Sequence, residues 1–253
     1  METRRVLACA AATAAAVALT LAGQADAGAV EQAATTLVNK TGTTITVTAG
    51  VGRSNDIVVQ QAGNQIRISD FGDVVAASGN CVTFNAHEAA CPTVGTTEVV
   101  VHAGDENDIV SSNLTMIGAT LLGDDGNDTL TAGGANDTIE GGTGSDTITG
   151  GAGNDTLNGG QGPDMINGGA GNDTIEGNAG ADTLNGGPGN DVINGGAGRD
   201  QIVAGPGNDV VQGGAGADSI NVMDGVRGND SADGGAGRDT CHADPGDFLT
   251  SCP

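Results

Sequence analysis

From Gly123 to Asn221 the chain repeats itself every nine residues, eleven times in one register and without a gap. The sixth place of each unit is an aspartate: Asp128, Asp137, Asp146, Asp155, Asp164, Asp173, Asp182, Asp191, Asp200, Asp209 and Asp218. The eighth place is always aliphatic, from Leu130 and Ile139 to Val211 and Ile220. After three inserted residues, Val222 to Asp224, two more units follow and supply Asp230 and Asp239. A fixed short period of this kind specifies stacked units that bury a shared core, because no single unit can bury its own apolar face.

Each unit divides into a turn and a strand. The opening tract, as in Gly150-Gly151-Ala152-Gly153-Asn154-Asp155, places glycines where a backbone must turn sharply without a Cβ clash. The next three residues, such as Thr156-Leu157-Asn158, form a minimal strand whose middle side chain points one way and whose neighbours point the other. Turn, strand, turn, strand closes one coil in two units. Successive coils then stack as parallel strands about 4.8 Å apart around a thin aliphatic core. The expected fold is all-β, a parallel β-roll (a β-solenoid).

Stacking sorts the aspartates onto two edges. Asp128, Asp146, Asp164, Asp182, Asp200 and Asp218 fall on one, and Asp137, Asp155, Asp173, Asp191 and Asp209 on the other. Like charges about 5 Å apart repel by about 1 kcal/mol in bulk water, and by several times that in a turn of lower dielectric. One buried aliphatic residue per unit is a thin return for ordering nine residues, so the tract calls for a counter-cation. Carboxylates and turn carbonyls offer only oxygen, which suits Ca²⁺ with its 6–8 ligands better than Mg²⁺ with its strict octahedron. Zinc is disfavoured, since the repeats offer one late cysteine, Cys241, and no histidine before His242.

Units such as GGAGNDTLN, GGAGNDTIE and GGPGNDVIN resemble the RTX, or haemolysin-type, calcium-binding nonapeptide. Eight of the thirteen units keep both opening glycines, the glycine at the fourth place and the aspartate; five depart at a glycine position. The resemblance implies a right-handed β-roll in which Ca²⁺ sits between turns, held by the sixth-place aspartate and by carbonyls of the glycine-rich loops. Carried onto this sequence it makes ligands of the eleven in-register aspartates and, past the insertion, of Asp230 and Asp239. It implies a calcium site and no activity.

The rest of the composition agrees. Aspartate and glutamate outnumber lysine and arginine by 32 to 8, for a net charge of −24. That charge argues against nucleic acid and anionic membranes as partners and suits an assembly that takes up many divalent ions. At about one ion per repeat, roughly ten Ca²⁺ would nearly cancel it. With three phenylalanines and no tryptophan or tyrosine, the chain has neither a large aromatic core nor a stacking platform for bases or sugars.

Residues 1–27 read as a secretory signal peptide: Arg4 and Arg5, an apolar run from Val6 to Ala22, and an Ala25-Asp26-Ala27 cleavage site before Gly28. Thr3-Arg4-Arg5-Val6-Leu7 also resembles a twin-arginine signal, but a protein that folds on extracellular calcium gains little from export in the folded state. Residues 28–122 are rich in Thr and Val. Alternating runs at Thr43–Thr48, Asp56–Gln60, Asn64–Ser69 and Thr97–Val101 predict short strands, expected as irregular leading coils that cap the roll; a small separate β-sandwich is the alternative. Asp56 and Asp108 sit in fragments that echo the repeat; they are candidate metal ligands, but turn residues are the preferred reading. The organisation expected is thus a signal peptide (1–27), a β-rich leader (28–122), the roll (123–242) and a C-terminal cap (243–253).

Four cysteines remain after such cleavage, Cys81, Cys91, Cys241 and Cys252, allowing three connectivities. Proximity favours Cys81–Cys91 and Cys241–Cys252, the second folding the tail back so that Phe248 and Leu249 cover the last core layer. Terminal coils need such a cap because an open sheet edge invites aggregation.

No catalytic constellation is legible. His87-Glu88-Ala89-Ala90-Cys91 begins like a zinc-protease motif but has no second histidine, and no G-x-S-x-G elbow occurs. His87, His102 and His242 are scattered. The expected function is a secreted, non-enzymatic calcium-binding roll with a structural or cell-surface role. One alternative is an adhesion or matrix-binding module presenting the seventh-place threonines (Thr129, Thr138, Thr147, Thr156). Another is a polysaccharide-modifying enzyme on a β-helical leader.

Overall fold

The computed structural model describes residues 35–252, so the expected signal peptide lies outside the described residues. All regular structure among them is β. It forms two sheets, of 13 and 12 strands, facing each other across one apolar core.

Within the repeats the strands alternate between the sheets. Thr138–Thr143, Thr156–Gln161 and Thr174–Ala179 are neighbours in one, and Thr147–Ala152 and Met165–Ala170 in the other. Pairing is parallel and steps by one coil of two units: Ile139 faces Leu157, which faces Ile175 and then Ile193. In the second sheet Leu130 faces Ile148, then Ile166, Leu184, Ile202 and Ile220. All these eighth-place side chains are buried. The fold expected from the period is therefore present, a β-solenoid of stacked parallel coils.

In most units the sharp turn at the second place takes positive φ. Gly160 adopts 106°, and the non-glycines Asn178 and Asp124 at the same place adopt 71° and 69°. Asn and Asp tolerate this region better than other side chains, so these units depart from the glycine pattern without losing the turn. The insertion at Val222–Asp224 is absorbed in one loop. Val211 still faces Ala232 and Ile220 faces Cys241, so the core stack continues in phase. Ala232 is fully buried there.

The leader shares both sheets with the repeats. Thr44–Thr48 pairs in parallel with Glu98–His102, which pairs with Gly118–Asp125, the first strand of the roll sheet. On the opposite side Asp56–Ala62 pairs with Ile109–Ser112 and that strand with Thr129–Thr131. The strands expected from alternation are present. Periodicity does not reveal how the leader ends: two antiparallel hairpins, Thr35–Thr41 with Thr44–Thr48 and Asp56–Ala62 with Gln65–Asp70, fold back over the first coil. Two-residue loops, Gly42-Thr43 and Gly63-Asn64, turn them, with the glycines at φ 63° and 62°. Glu88–Pro92 then pairs antiparallel with Gln65–Asp70, and Val74–Gly79 lies parallel to Thr35–Thr41.

Both expected disulfides are present, Cys81–Cys91 and Cys241–Cys252. The tail strand Phe248–Thr250 adds in parallel to Ser231–Asp233 and sets Leu249 opposite Ala232, at the core-facing place. Phe248 does not cover the core as expected. Strand alternation turns it outward, and it is 66% exposed.

Candidate metal centre

The aspartates line the two edges where the chain turns from one sheet to the other, one row per edge. All thirteen expected ligands are buried, none more than 3% exposed. In each row the backbone N–H of one aspartate donates to Oδ1 of the aspartate one coil further on. Asp128 donates to Asp146, Asp146 to Asp164 and so on to Asp218 and Asp239, at 2.8–3.0 Å. The other row runs from Asp137 through Asp155, Asp173, Asp191 and Asp209 to Asp230, each at 2.8 Å. Asp230 and Asp239 hold their places despite the insertion: Val222 stays in the core, and exposed loop residues such as Met223 and Val226 take up the extra length and leave both rows aligned.

The second carboxylate oxygen has no such partner. Oδ2 is buried and without a hydrogen bond in twelve of the thirteen; the exception is Asp137, whose Oδ2 accepts from the Gly133 N–H at 3.2 Å. Orphaned buried carboxylate oxygens are costly, and a row of them is costlier because each adds like charge. Burial pushes Asp128 up to about 7 and Asp155, Asp164, Asp191, Asp200 and Asp209 up to about 6, with neighbouring aspartates adding to the shift.

The opening glycine of each unit shows what surrounds these oxygens. A Cβ at Gly141 would stand closer than 3.0 Å to both Asp146 Oδ2 and the carbonyl of Gly159, the matching glycine one coil on. The same holds at Gly168 for Asp173 Oδ2 and Gly186 O, and at Gly195 for Asp200 Oδ2 and Gly213 O. A carboxylate oxygen that has no donor and a carbonyl oxygen from the next coil therefore both lie beside the opening glycine. Among the described residues no three acidic, histidine or cysteine side chains converge on one point, so a cation here must take much of its shell from carbonyls. An all-oxygen mixture of carboxylate and carbonyl fits Ca²⁺.

The sequence reading missed two features. Asn at the fifth place builds a second row: the N–H groups of Asn154, Asn172, Asn190 and Asn208 donate to the side-chain oxygens of Asn136, Asn154, Asn172 and Asn190 at 2.7–2.9 Å. Its signal was present in the recurring Asn-Asp pair. Asp108, read as a turn residue, extends the first aspartate row; it is 1% exposed, its N–H donates to Asp128 Oδ1 at 2.8 Å, and its Oδ2 is orphaned. The signal was Asp108-Ile109-Val110, an aspartate two places before a core aliphatic. Asp56 is out of register by one residue, and Asn55 takes the row position instead.

A stacked β-solenoid with paired rows of buried, half-satisfied aspartates belongs to the class of repeat proteins built to hold cations between coils. The family model described as RTX calcium-binding nonapeptide repeat (4 copies) matches residues 120–148, 131–166, 158–193, 167–202, 194–226 and 219–247, which together span half of the chain. The chain belongs to the RTX calcium-binding repeat family. No curated protein and no solved structure matches it.

Proposed function

We propose that this is a secreted, non-enzymatic calcium-binding protein whose roll folds on Ca²⁺. Each ion is held between successive turns of one edge by aspartate Oδ2 and first-place carbonyls. The ligand set is Asp128, Asp137, Asp146, Asp155, Asp164, Asp173, Asp182, Asp191, Asp200, Asp209, Asp218, Asp230 and Asp239. The functional unit is residues 123–242, led by 28–122 and closed by 243–253 after removal of 1–27. The observation that carries the reading is the row of buried Oδ2 atoms, themselves without donors, set beside carbonyls of the next coil. Two disulfides support an oxidising compartment, where free calcium is also high. A calcium titration of the mature chain followed by far-UV circular dichroism, with Mg²⁺ in parallel, tests it. A cooperative, Ca²⁺-specific gain of β signal is expected. Full β structure in chelator would remove the ion from the folding step.

A second reading rests on one outer face. On the sheet carrying Thr129 and Thr147, the outward positions from Thr129 to Asn221 are Thr129, Thr131, Thr147, Thr149, Met165, Asn167, Thr183, Asn185, Gln201, Val203, Ser219 and Asn221; they hold no charge in a chain of net −24. Such a flat, neutral, hydroxyl-rich face suits adhesion to an uncharged extracellular polymer. Replacing Thr129, Thr147 and Thr183 with lysine would abolish surface attachment on this reading, and unchanged attachment would remove it.

A further inference from the structure

The leader carries a rung of the aspartate row that the repeat pattern does not contain. Asp108 lies outside the residues matched by the family model, and the turn before it, Ala103-Gly104-Asp105-Glu106-Asn107, keeps only one glycine of the pattern. The backbone nonetheless follows the repeat. Gly104 has φ 108°, like the second-place glycines, and Glu106 has φ 74° where the repeats have their fourth-place glycine. Asn107 Oδ1 accepts from the Asn127 N–H at 2.7 Å, as Asn127 Oδ1 does from Ser145. Asp108 Oδ2 is buried and unpartnered, like the oxygens of the rungs that follow.

One coil earlier the row position is Asn55, 2% exposed, whose backbone N–H donates to Asp108 Oδ1 at 2.5 Å in the manner of every other rung. Its side chain matches an aspartate atom for atom. Asn55 Oδ1 is unpartnered because no earlier coil supplies an N–H. Asn55 Nδ2 stands for the free oxygen, and it donates to the Ala103 carbonyl at 3.1 Å, the Arg53 carbonyl at 3.0 Å and Asp108 Oδ1 at 3.1 Å. Ala103 is the first-place residue of its turn, so its carbonyl matches Gly159 O beside Asp146. In the repeats an oxygen stands beside that carbonyl instead, and it has no donor of its own. At Asn55 the amide nitrogen is the donor. A neutral side chain there does, with hydrogen bonds, what a cation does further on.

The opposite edge closes by a different route. The position before Asp137 is Ala119, buried, whose N–H donates to Asp137 Oδ1 at 2.7 Å, so an apolar side chain stands where the repeats carry Asp. Asp137 Oδ2, the one Oδ2 of the thirteen expected ligands with a protein donor, belongs to the first rung of that edge. Both rows therefore end where the chain supplies its own partners.

We propose that Asp108 forms an additional calcium site with the Asp128 turn, one coil ahead of the recognisable repeat, and that Asn55 terminates the row as a built-in replacement for the ion. The proposal rests on the calcium reading above, and the experiment separates the two. Native mass spectrometry of the full mature chain, with Ca²⁺ alone as the probe, counts bound ions in the wild type, Asp108→Asn, Asn55→Asp and, as an internal reference, Asp146→Asn. Asp108→Asn is expected to bind one ion fewer and Asn55→Asp one more, the second variant guarding against simple misfolding of the first. Unchanged counts in both, with a reduced count in Asp146→Asn, would overturn the additional site and leave the repeat sites intact. An unchanged count in all three variants would overturn the aspartate ligands altogether, and this proposal with them.

Discussion

In the leader, buried charged side chains such as Lys40 and Asp70 find their partners within the chain. Lys40 is 7% exposed, and its Nζ donates to the carbonyls of Pro92 and Val94 and to Thr96 Oγ1, at 2.6–3.0 Å. Asp70 is fully buried and accepts from Thr36 Oγ1 and from the N–H groups of Gly72 and Asp73. Strands there bury two aliphatic side chains apiece, as with Val99 and Val101 or Ile57 and Val59. In the roll most strands bury one, with a glycine at the next inward position, and every coil leaves carboxylate oxygens without donors. Orphans in the leader, such as Asp73 Oδ2 and Ser112 Oγ, are scattered; those in the roll are stacked. Two parts of the same pair of sheets thus hold together by different means. The leader has a self-satisfied apolar core, and the roll has a thin core that needs an ion from outside.

The largest effect that can break this comparison is chelation. Stripping Ca²⁺ removes from the roll the term that offsets its stacked charge and leaves the leader's contacts untouched. Hydrogen exchange in excess chelator should show amides of Thr138–Thr143, Thr156–Gln161 and Thr174–Ala179 exchanging at unprotected rates. Amides of Thr44–Thr48 and Gln65–Asp70 should keep most of their protection. Equal loss in both regions would mean that the leader borrows its order from the roll.

A smaller effect follows from pH in the ion-free chain. Asp155, Asp164, Asp191, Asp200 and Asp209 rise from an ordinary 3.8 to about 6, and Asp128 to about 7, on folding without an ion, first because burial disfavours the charge. The folded form therefore binds protons more tightly than the unfolded form. Stability from this source is full below 3.8 and is lost as pH rises through 6 to 7. In chelator, β signal from the roll should grow as pH falls from neutral toward 4, while in calcium the same acidification should weaken ion binding by competition. A β signal in chelator that falls on acidification would contradict the assignment of stacked carboxylates as the obstacle to folding.

How much of this was legible beforehand follows the same division. The period specified the roll, its two-unit coil, its core residues and both aspartate rows, because each unit has the same neighbours and one argument serves for all. Asp108 escaped because its turn had lost the glycines that advertise the motif, while Glu106 still adopts their backbone conformation. Asn55 escaped because Asp56 beside it carries the echo of the repeat aspartate, and only strand register separates the two. The hairpins over the first coil rest on single contacts, such as the Lys40 ammonium on three oxygens, that no repeat announces. Phe248 was misplaced for a similar reason: in a tail strand one residue of register decides which face a side chain takes.

The finest contrast lies in two glycines. Gly168 opens a repeat turn, and a Cβ there would crowd Asp173 Oδ2 and the Gly186 carbonyl. Gly63 turns a leader hairpin at φ 62° with nothing within 4 Å of an added Cβ. Gly168→Ala pushes a methyl group into the oxygen shell, an overpacking cost of about 1–3 kcal/mol that falls on the ion-bound form. The calcium midpoint should rise, by about tenfold for each 1.4 kcal/mol. Gly63→Ala costs about 1–2 kcal/mol of backbone strain in the leader and touches no ligand, so it should lower the leader's thermal midpoint with the calcium midpoint unchanged. The two variants differ from wild type by the same methyl group. If both shift the calcium midpoint equally, opening glycines serve backbone conformation alone. A shift confined to Gly168→Ala would mean that they are there to keep the ion's oxygens uncovered.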